Sequence, residues 1–212
     1  MNDFIRTAVI TGGHDFEVIP FHQLFRSFSD VDAYIQHLEH FAASSREVRE
    51  SYDVIVFFSQ YKTPPAEEEK VKTVLEELGA TKQGIVVLHH AVLSYQGWSL
   101  WQEIADTDPG GFAFHDDQQV DVQIADPLHP ITTGLEPWTM QDETYEMNAA
   151  GPNSHVLLRT THEKSAPNLA WTREYHNSRV FCFMSGHDHH AWENPNFGLT
   201  LHRGIQWTAG RL

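Results

Sequence analysis

Three apolar stretches of this sequence end in the same uncommon residue type. RTAVIT (residues 6–11) passes through Gly12-Gly13 into His14, GIVVL (84–88) runs directly into His89-His90, and RVFCFM (179–184) leads into SGHDHH (185–190). Several neutral imidazoles with a carboxylate nearby are the donor set of a divalent transition metal, zinc first, which takes His nitrogen and Asp or Glu oxygen and keeps one position open when catalytic. The same groups can move protons without a metal, because histidine titrates near neutral pH. No HExxH or other compact ligand spacing separates the two chemistries, so both stay open. His14, His90 and His187 are the candidate metal ligands. Glu143, in MQDETYEMN, offers the carboxylate, as a ligand or as a general acid or base if burial raises its pKa.

Such residues need a frame that brings them together. RTAVIT, DVIVFF (53–58) and GIVVL read as buried strands, and Val71, Val74, Leu75 and Leu78 fall at the spacing of one helix face, with Glu67, Glu68 and Glu69 in its first turn and Gly79 at its C-terminal cap. A strand near residues 31–35 with a helix after it, and a second helical stripe through Leu93, Gly97, Leu100, Trp101 and Ile104, extend the alternation. Strand and helix in turn predict right-handed crossovers and an α/β domain with a mainly parallel sheet. In such sheets ligands bind beyond the carboxyl ends of the strands, so all three histidine-bearing exits belong on one edge. Residues 109–158 break the pattern and read as an insertion of loops and short antiparallel strands. Asn168 to Tyr175 and RVFCFM return to the sheet, and Asn194-Pro195 opens a final amphipathic helix.

Composition narrows the partners. A net charge of −15, from 14 Lys+Arg against 29 Asp+Glu, disfavours nucleic acid and anionic membranes and suits a neutral small molecule. Tyr95 and Trp98 lie off the apolar stripe of their predicted helix, and they, with Trp192, could stack on the apolar faces of a sugar. Cys182 sits inside a predicted buried strand as a core residue, not a nucleophile. Neither a GxSxG elbow nor a phosphate-cradling loop is present, and Gly12-Gly13 is too little for a dinucleotide fingerprint, so no nucleotide cofactor is expected. No window approaches the ~20 apolar residues of a membrane span, and no signal segment opens the chain, which predicts a cytoplasmic protein. At 212 residues one domain over 1–212 is expected. Exposed tryptophans leave a homo-oligomer open.

The blocks YDVIVFF, GIVVLHHAVLSYQGW, HPITTGL, DETY, LAWTREY, RVFCFMSGHD with AWENPNF, and RGIQWTAG, in this order, resemble the ThuA-like family, named for trehalose utilisation. The resemblance implies a flavodoxin-like three-layer sandwich of the class I glutamine amidotransferase type. It implies carbohydrate catabolism, with oxidised (3-keto) glycosides as a substrate class. Amidotransferases place a nucleophilic cysteine at the strand-to-helix elbow where this chain has LHHA, so glutamine hydrolysis is not expected. By position in matched blocks, His89 and Asp188 join Glu143 as catalytic candidates, Tyr145 joins the substrate-binding ones, and His115 and His129 are assigned to structure. Residues 21–51 match no block and are where specificity would be set. A non-catalytic sugar- or partner-binding module is the competing reading.

Overall fold

The three histidine-tipped runs are strands of one sheet, and their register aligns their ends. The computed structural model describes residues 4–65 and 69–212. Its strands are β1 (Ile5–Gly12), β2 (Val31–His37), β3 (Val54–Ser59), β4 (Gly84–Leu88), β5 (Ala113–Ile124), β6 (Trp138–Glu146), β7 (His155–Arg159), β8 (Asn168–Tyr175) and β9 (Ser178–Phe183). Its helices are α1 (Val18–Arg26), α2 (Leu38–Ala43), α3 (Arg46–Glu50), α4 (Glu69–Glu76), α5 (Ser99–Ala105), α6 (His189–Trp192) and α7 (Pro195–Thr208), with a 3₁₀ turn at His89–Leu93. The strand order β2-β1-β3-β4-β9-β8-β7-β5-β6 begins as the 2-1-3-4-5 order of flavodoxin-like sheets, with β9 in the fifth place. Gly12 pairs level with Ser59, and Leu88 level with Phe183, so β1, β3, β4 and β9 deliver their following residues to one edge.

Alternation along β3 builds the layers. Phe58 stacks on Phe21 of α1 and meets Trp192 of α6 on one face, whereas Phe57 points to Trp101 of α5 on the other. Such strands, buried on both sides, read as unbroken apolar runs, which is why they were legible. Cys182 is fully buried in β9 with its Sγ near the Ala105 carbonyl, and burial pushes its thiol well above the usual range, as a core residue requires. Asn194 caps α7 by accepting from the Asn196 and Phe197 amides. On the buried face of α7, a Cβ at Gly204 would overlap the Phe181 ring. Gly204→Ala is therefore expected to lower stability by about 2 kcal/mol, although alanine is the better helix former by about 1 kcal/mol. Urea unfolding midpoints measure this, and an unchanged or higher midpoint would contradict the packing.

The sheet is not mainly parallel. Among the described residues four neighbouring pairings are parallel, β2-β1-β3-β4-β9, and four are antiparallel, β9-β8-β7-β5-β6. The 109–158 segment supplies the difference: it holds a 12-residue and a 9-residue strand paired as a long hairpin, not loops and short strands. In β5 only Val120 and Val122 are buried, so its polar residues, solvated on both faces, hide the two-residue period.

The second helical stripe is also shorter than expected. Tyr95 and Gly97 have positive φ values of 52° and 77°, which interrupt a helix, and α5 starts only at Ser99. The α4 face holds, with Val71, Val74 and Leu75 buried and Gly79 at φ 83°; Glu67 and Glu68 lie outside the described residues. None of the six tryptophans is exposed: Trp101, Trp138, Trp171 and Trp192 are buried, and Trp98 and Trp207 half-buried, which removes the ground given for self-association. No helix among the described residues is long and apolar enough to cross a membrane.

Candidate functional site

At the end of β4 the chain turns through His89 with φ 52°, a left-handed conformation that costs a non-glycine residue about 1–3 kcal/mol and that concentrates at functional sites. The turn swings a fully buried imidazole back over the strand ends. Its Nδ1–H donates to the Met184 carbonyl at 2.9 Å, which in the neutral ring leaves Nε2 as a lone pair. That lone pair faces Glu143 Oε2 at 3.2 Å and His187 Nδ1 at 3.2 Å, and the last two atoms are 3.4 Å apart.

Each corner comes from a different part of the sheet. Glu143 stands on β6, in the antiparallel half, and its side chain is only 8% exposed. His187 follows β9 on a loop that the neighbouring Asp142 holds in place. The buried Asp142 carboxylate accepts from the backbone N–H groups of Gly186 at 2.9 Å, His187 at 3.0 Å and Glu143 at 3.0 Å. Burial pushes the Asp142 carboxyl up, against the pull of His89 and these amides. Tyr145, two residues beyond Glu143 on the same strand, donates its hydroxyl to His89 Nε2 at 2.7 Å; burial, then the Glu143 charge, pushes the phenol well above its ordinary range.

These contacts decide the state of Glu143. Burial alone would raise its pKa, but the bond from His187 and the closeness of His89 outweigh it and hold the carboxyl well below the usual carboxylate range. The condition attached to an acid role, a raised pKa, is not met; what stands is a carboxylate. The bond to Glu143 in turn raises His187 against the effect of burial.

Three facing atoms of types His N, His N and carboxylate O suit a divalent ion. Their separations match the ~3.3–3.4 Å edge of a tetrahedron with ~2.0–2.1 Å bonds, and the Met184 carbonyl orients His89 as an outer-shell partner would. Protons can fill the same gap, through the Tyr145 hydroxyl and His187.

His14, His90 and His187 do meet on one rim. The His14 ring centroid lies 4.5 Å from that of His90 and 6.0 Å from that of His187. The tight triangle, however, has His89 and Glu143 as its other corners, with His14 and His90 beside it. His90 is 2% exposed, lies against Phe58, and has no hydrogen-bond partner on either ring nitrogen among the described residues. Burial, followed by the neighbouring His89 and His14, pushes its pKa far down and keeps it neutral. His14 is exposed, and its Nδ1–H donates to the Asp15 carbonyl at 2.7 Å, leaving Nε2 as the acceptor end of the neutral ring.

Other candidates are placed elsewhere. Asp188 accepts from the His190 amide at 2.9 Å and caps α6; with His189 and His190 it forms a second cluster of possible ligand atoms, where His189 is paired with Glu17. Tyr95 is 1% exposed and Trp192 5%, and neither lines the cleft beside Glu143: Tyr95 packs on Trp101, and the Trp192 Nε1–H donates to the Gly186 carbonyl. Trp98 packs edge-on against Tyr95. His115 pairs with Glu146, and His129 accepts from the Ile131 amide within its turn. The aromatic walls of the cleft are instead Phe112, Phe114 and Tyr145, around a volume of about 550 Å³ that His14 and Glu143 also line. Phe112 and Phe114 were missed because they sit at the start of a strand with little apolar period, one just before it and one within it; the phenylalanines flanking Ala113 were the available signal.

The sheet begins in the flavodoxin-like order, and its β4 exit turns sharply through the left-handed residue His89. The fold is similar to that of a glutamine amidotransferase from Thermotoga maritima (TM-score 0.59, 10% identity, covering 97% of this chain and 98% of that one). A structure described as ThuA-like from Parabacteroides merdae gives a TM-score of 0.76 at 21% identity, over 97% of this chain and 90% of that one. A cytoplasmic protein from Salmonella typhimurium gives 0.66 at 13% identity, over 95% and 98%. No curated protein matches the sequence. The chain belongs to the ThuA family, whose model, described as trehalose utilisation, matches residues 15–208.

Proposed function

We propose that this protein is an enzyme of sugar catabolism in the cytoplasm, acting on oxidised (3-keto) glycosides with a divalent ion, zinc by donor type, held by His89, Glu143 and His187. One observation carries the reading: two imidazole nitrogens and a carboxylate oxygen converge within 3.4 Å of one another at the wall of a cleft. The family description supplies the sugar context.

A ketone at C3 makes the proton on C2 acidic and the oxygen on C1 a leaving group. When bound, the ion supplies Lewis-acid polarisation of the carbonyl oxygen. His14, exposed in the cleft with Nε2 as acceptor, takes the C2 proton. The C1–O bond breaks as the C1–C2 double bond forms, and the His14 imidazolium returns the proton to the departing oxygen, giving an enone and a free alcohol. Water adding at C1 of the enone completes net hydrolysis. Phe112, Phe114 and Tyr145 hold the ring.

The test combines metal analysis of the purified protein with a turnover screen of C3-oxidised disaccharides before and after dialysis against a chelator. A retained divalent ion and turnover lost on chelation are expected. Sugar binding with no retained metal and no turnover would replace this reading with the non-catalytic module, which the proton-filled triangle also allows.

A further inference from the structure

We infer, resting on the proposed reaction, that the substrate has two ring-sized parts and that His14 stands at the junction between them. A second cavity of about 610 Å³ adjoins the first at this residue, sharing only Gly13 and His14 with the cleft of Phe112, Phe114, Glu143 and Tyr145. Each volume falls within the ~300–1,000 Å³ of small-molecule pockets, so neither needs the other to hold one sugar ring.

The two differ in chemistry. Glu143 of the donor triangle and the aromatic walls line the first. The second is formed by the exits of β1 and β2: Asp15 and His37 present polar groups at its edge, Phe16 an apolar surface, and no member of the triangle lines it. That is the composition of a recognition pocket for a sugar, hydroxyl-binding edges beside an apolar face. Its shape is built in. His37 is fixed at the end of β2, where Nδ1 accepts from the Glu39 amide as the cap of α2 and Nε2 lies 3.5 Å from the Tyr61 hydroxyl. Gly12, at φ 126°, lets these groups close over the strand exit, since a Cβ there would collide with the Tyr61 hydroxyl and lie 2.6 Å from His37 Nε2. The Gly12-Gly13 pair, too short for a dinucleotide motif, thus has a use: Gly12 floors the second pocket and Gly13 is shared by both.

Placement over His14 matches the reaction. A ketone-bearing ring in the first cleft puts its C1–C2 bond beside His14 Nε2, and the departing sugar then occupies the second pocket. This assigns specificity for the leaving group to Asp15 and His37, the latter within the 21–51 stretch that matches no sequence block.

The experiment compares α,α-trehalose oxidised at C3 of one ring with methyl α-glucoside oxidised at C3, in the full-length protein. In the wild type, kcat/KM for the disaccharide is expected to exceed that for the methyl glycoside by ~10-fold or more, the worth of one or two hydrogen bonds and an apolar contact. His37→Ala should move that ratio toward one, chiefly through KM. Asp15→Ala, an exposed side chain whose loss cannot unfold the protein, should do the same if His37→Ala is poorly folded. Equal kcat/KM for both probes in the wild type, or variants that lower both probes in proportion, would overturn the two-pocket assignment and leave the proposed function standing. Turnover of neither probe would sink the proposed function and this inference with it.

Discussion

Glu143→Gln is expected to lower turnover of a C3-oxidised disaccharide by ~100-fold or more and to strip the bound ion. The substitution is close to isosteric and leaves β6 intact, so what changes is charge. Glu143 is a largely buried carboxylate whose ionised form is preferred because His187 bonds to it, with His89 close by. An amide in its place offers one neutral oxygen to the triangle and turns an NH₂ toward His89 or His187, both of which can present lone pairs. A loss of ~100-fold is the scale seen when a group acting directly on the reaction is removed. Metal content and steady-state kinetics on the same preparation check it. If sugar affinity, metal content and turnover all stay within a few-fold of wild type, the triangle is a structural hydrogen-bond cluster and the binding-module reading takes over.

Asp142→Ala is expected to cost about 3–5 kcal/mol of stability, the largest effect of any single change considered. The side chain is 3% exposed and its two oxygens take three backbone N–H groups, those of Glu143, Gly186 and His187. Each orphaned buried donor costs about 1–3 kcal/mol. Because Asp142 ties the β9 exit to β6, the variant also loosens the distance between Glu143 and His187, so residual folded protein should bind metal poorly. Urea or thermal unfolding measures the first effect and metal titration the second. Asp142→Asn, which keeps one acceptor oxygen, should fall between the two. A variant within about 1 kcal/mol of wild type would show that water reaches this loop and that Asp142 does not position the site.

The candidate site was half legible. His14, His90 and His187 were chosen because each follows an apolar strand, and the parallel register does bring their rings to one rim. Which imidazole becomes a corner of the triangle was not legible: His89 and His90 are adjacent and chemically identical, and the left-handed turn at His89 sends one ring to Glu143 and the other against Phe58. The aromatic choices failed for a related reason. Tyr95 and Trp192 were judged by helical angle or by nearness to a motif, yet their burial depends on Trp101, Phe21 and Phe58, which come from other segments.

What the residues alone determined is the parallel half of the sheet with its capped helices, because strands covered on both faces must be continuously apolar and helices covered on one must repeat near 3.6. The family was also contained in the local order of residues. The tertiary structure alone decided that residues 113–146 form a long hairpin delivering Glu143 and Tyr145 across the edge of the parallel strands, that Asp142 anchors the opposite loop, and that burial is outweighed at Glu143 but not at Asp142. The first half of β5 leaves no periodic trace because both its faces meet water, the buried face of β6 is hidden in sequence because it carries Asp142 and Thr144, and a carboxylate's charge state is set by neighbours that the chain brings together only when folded.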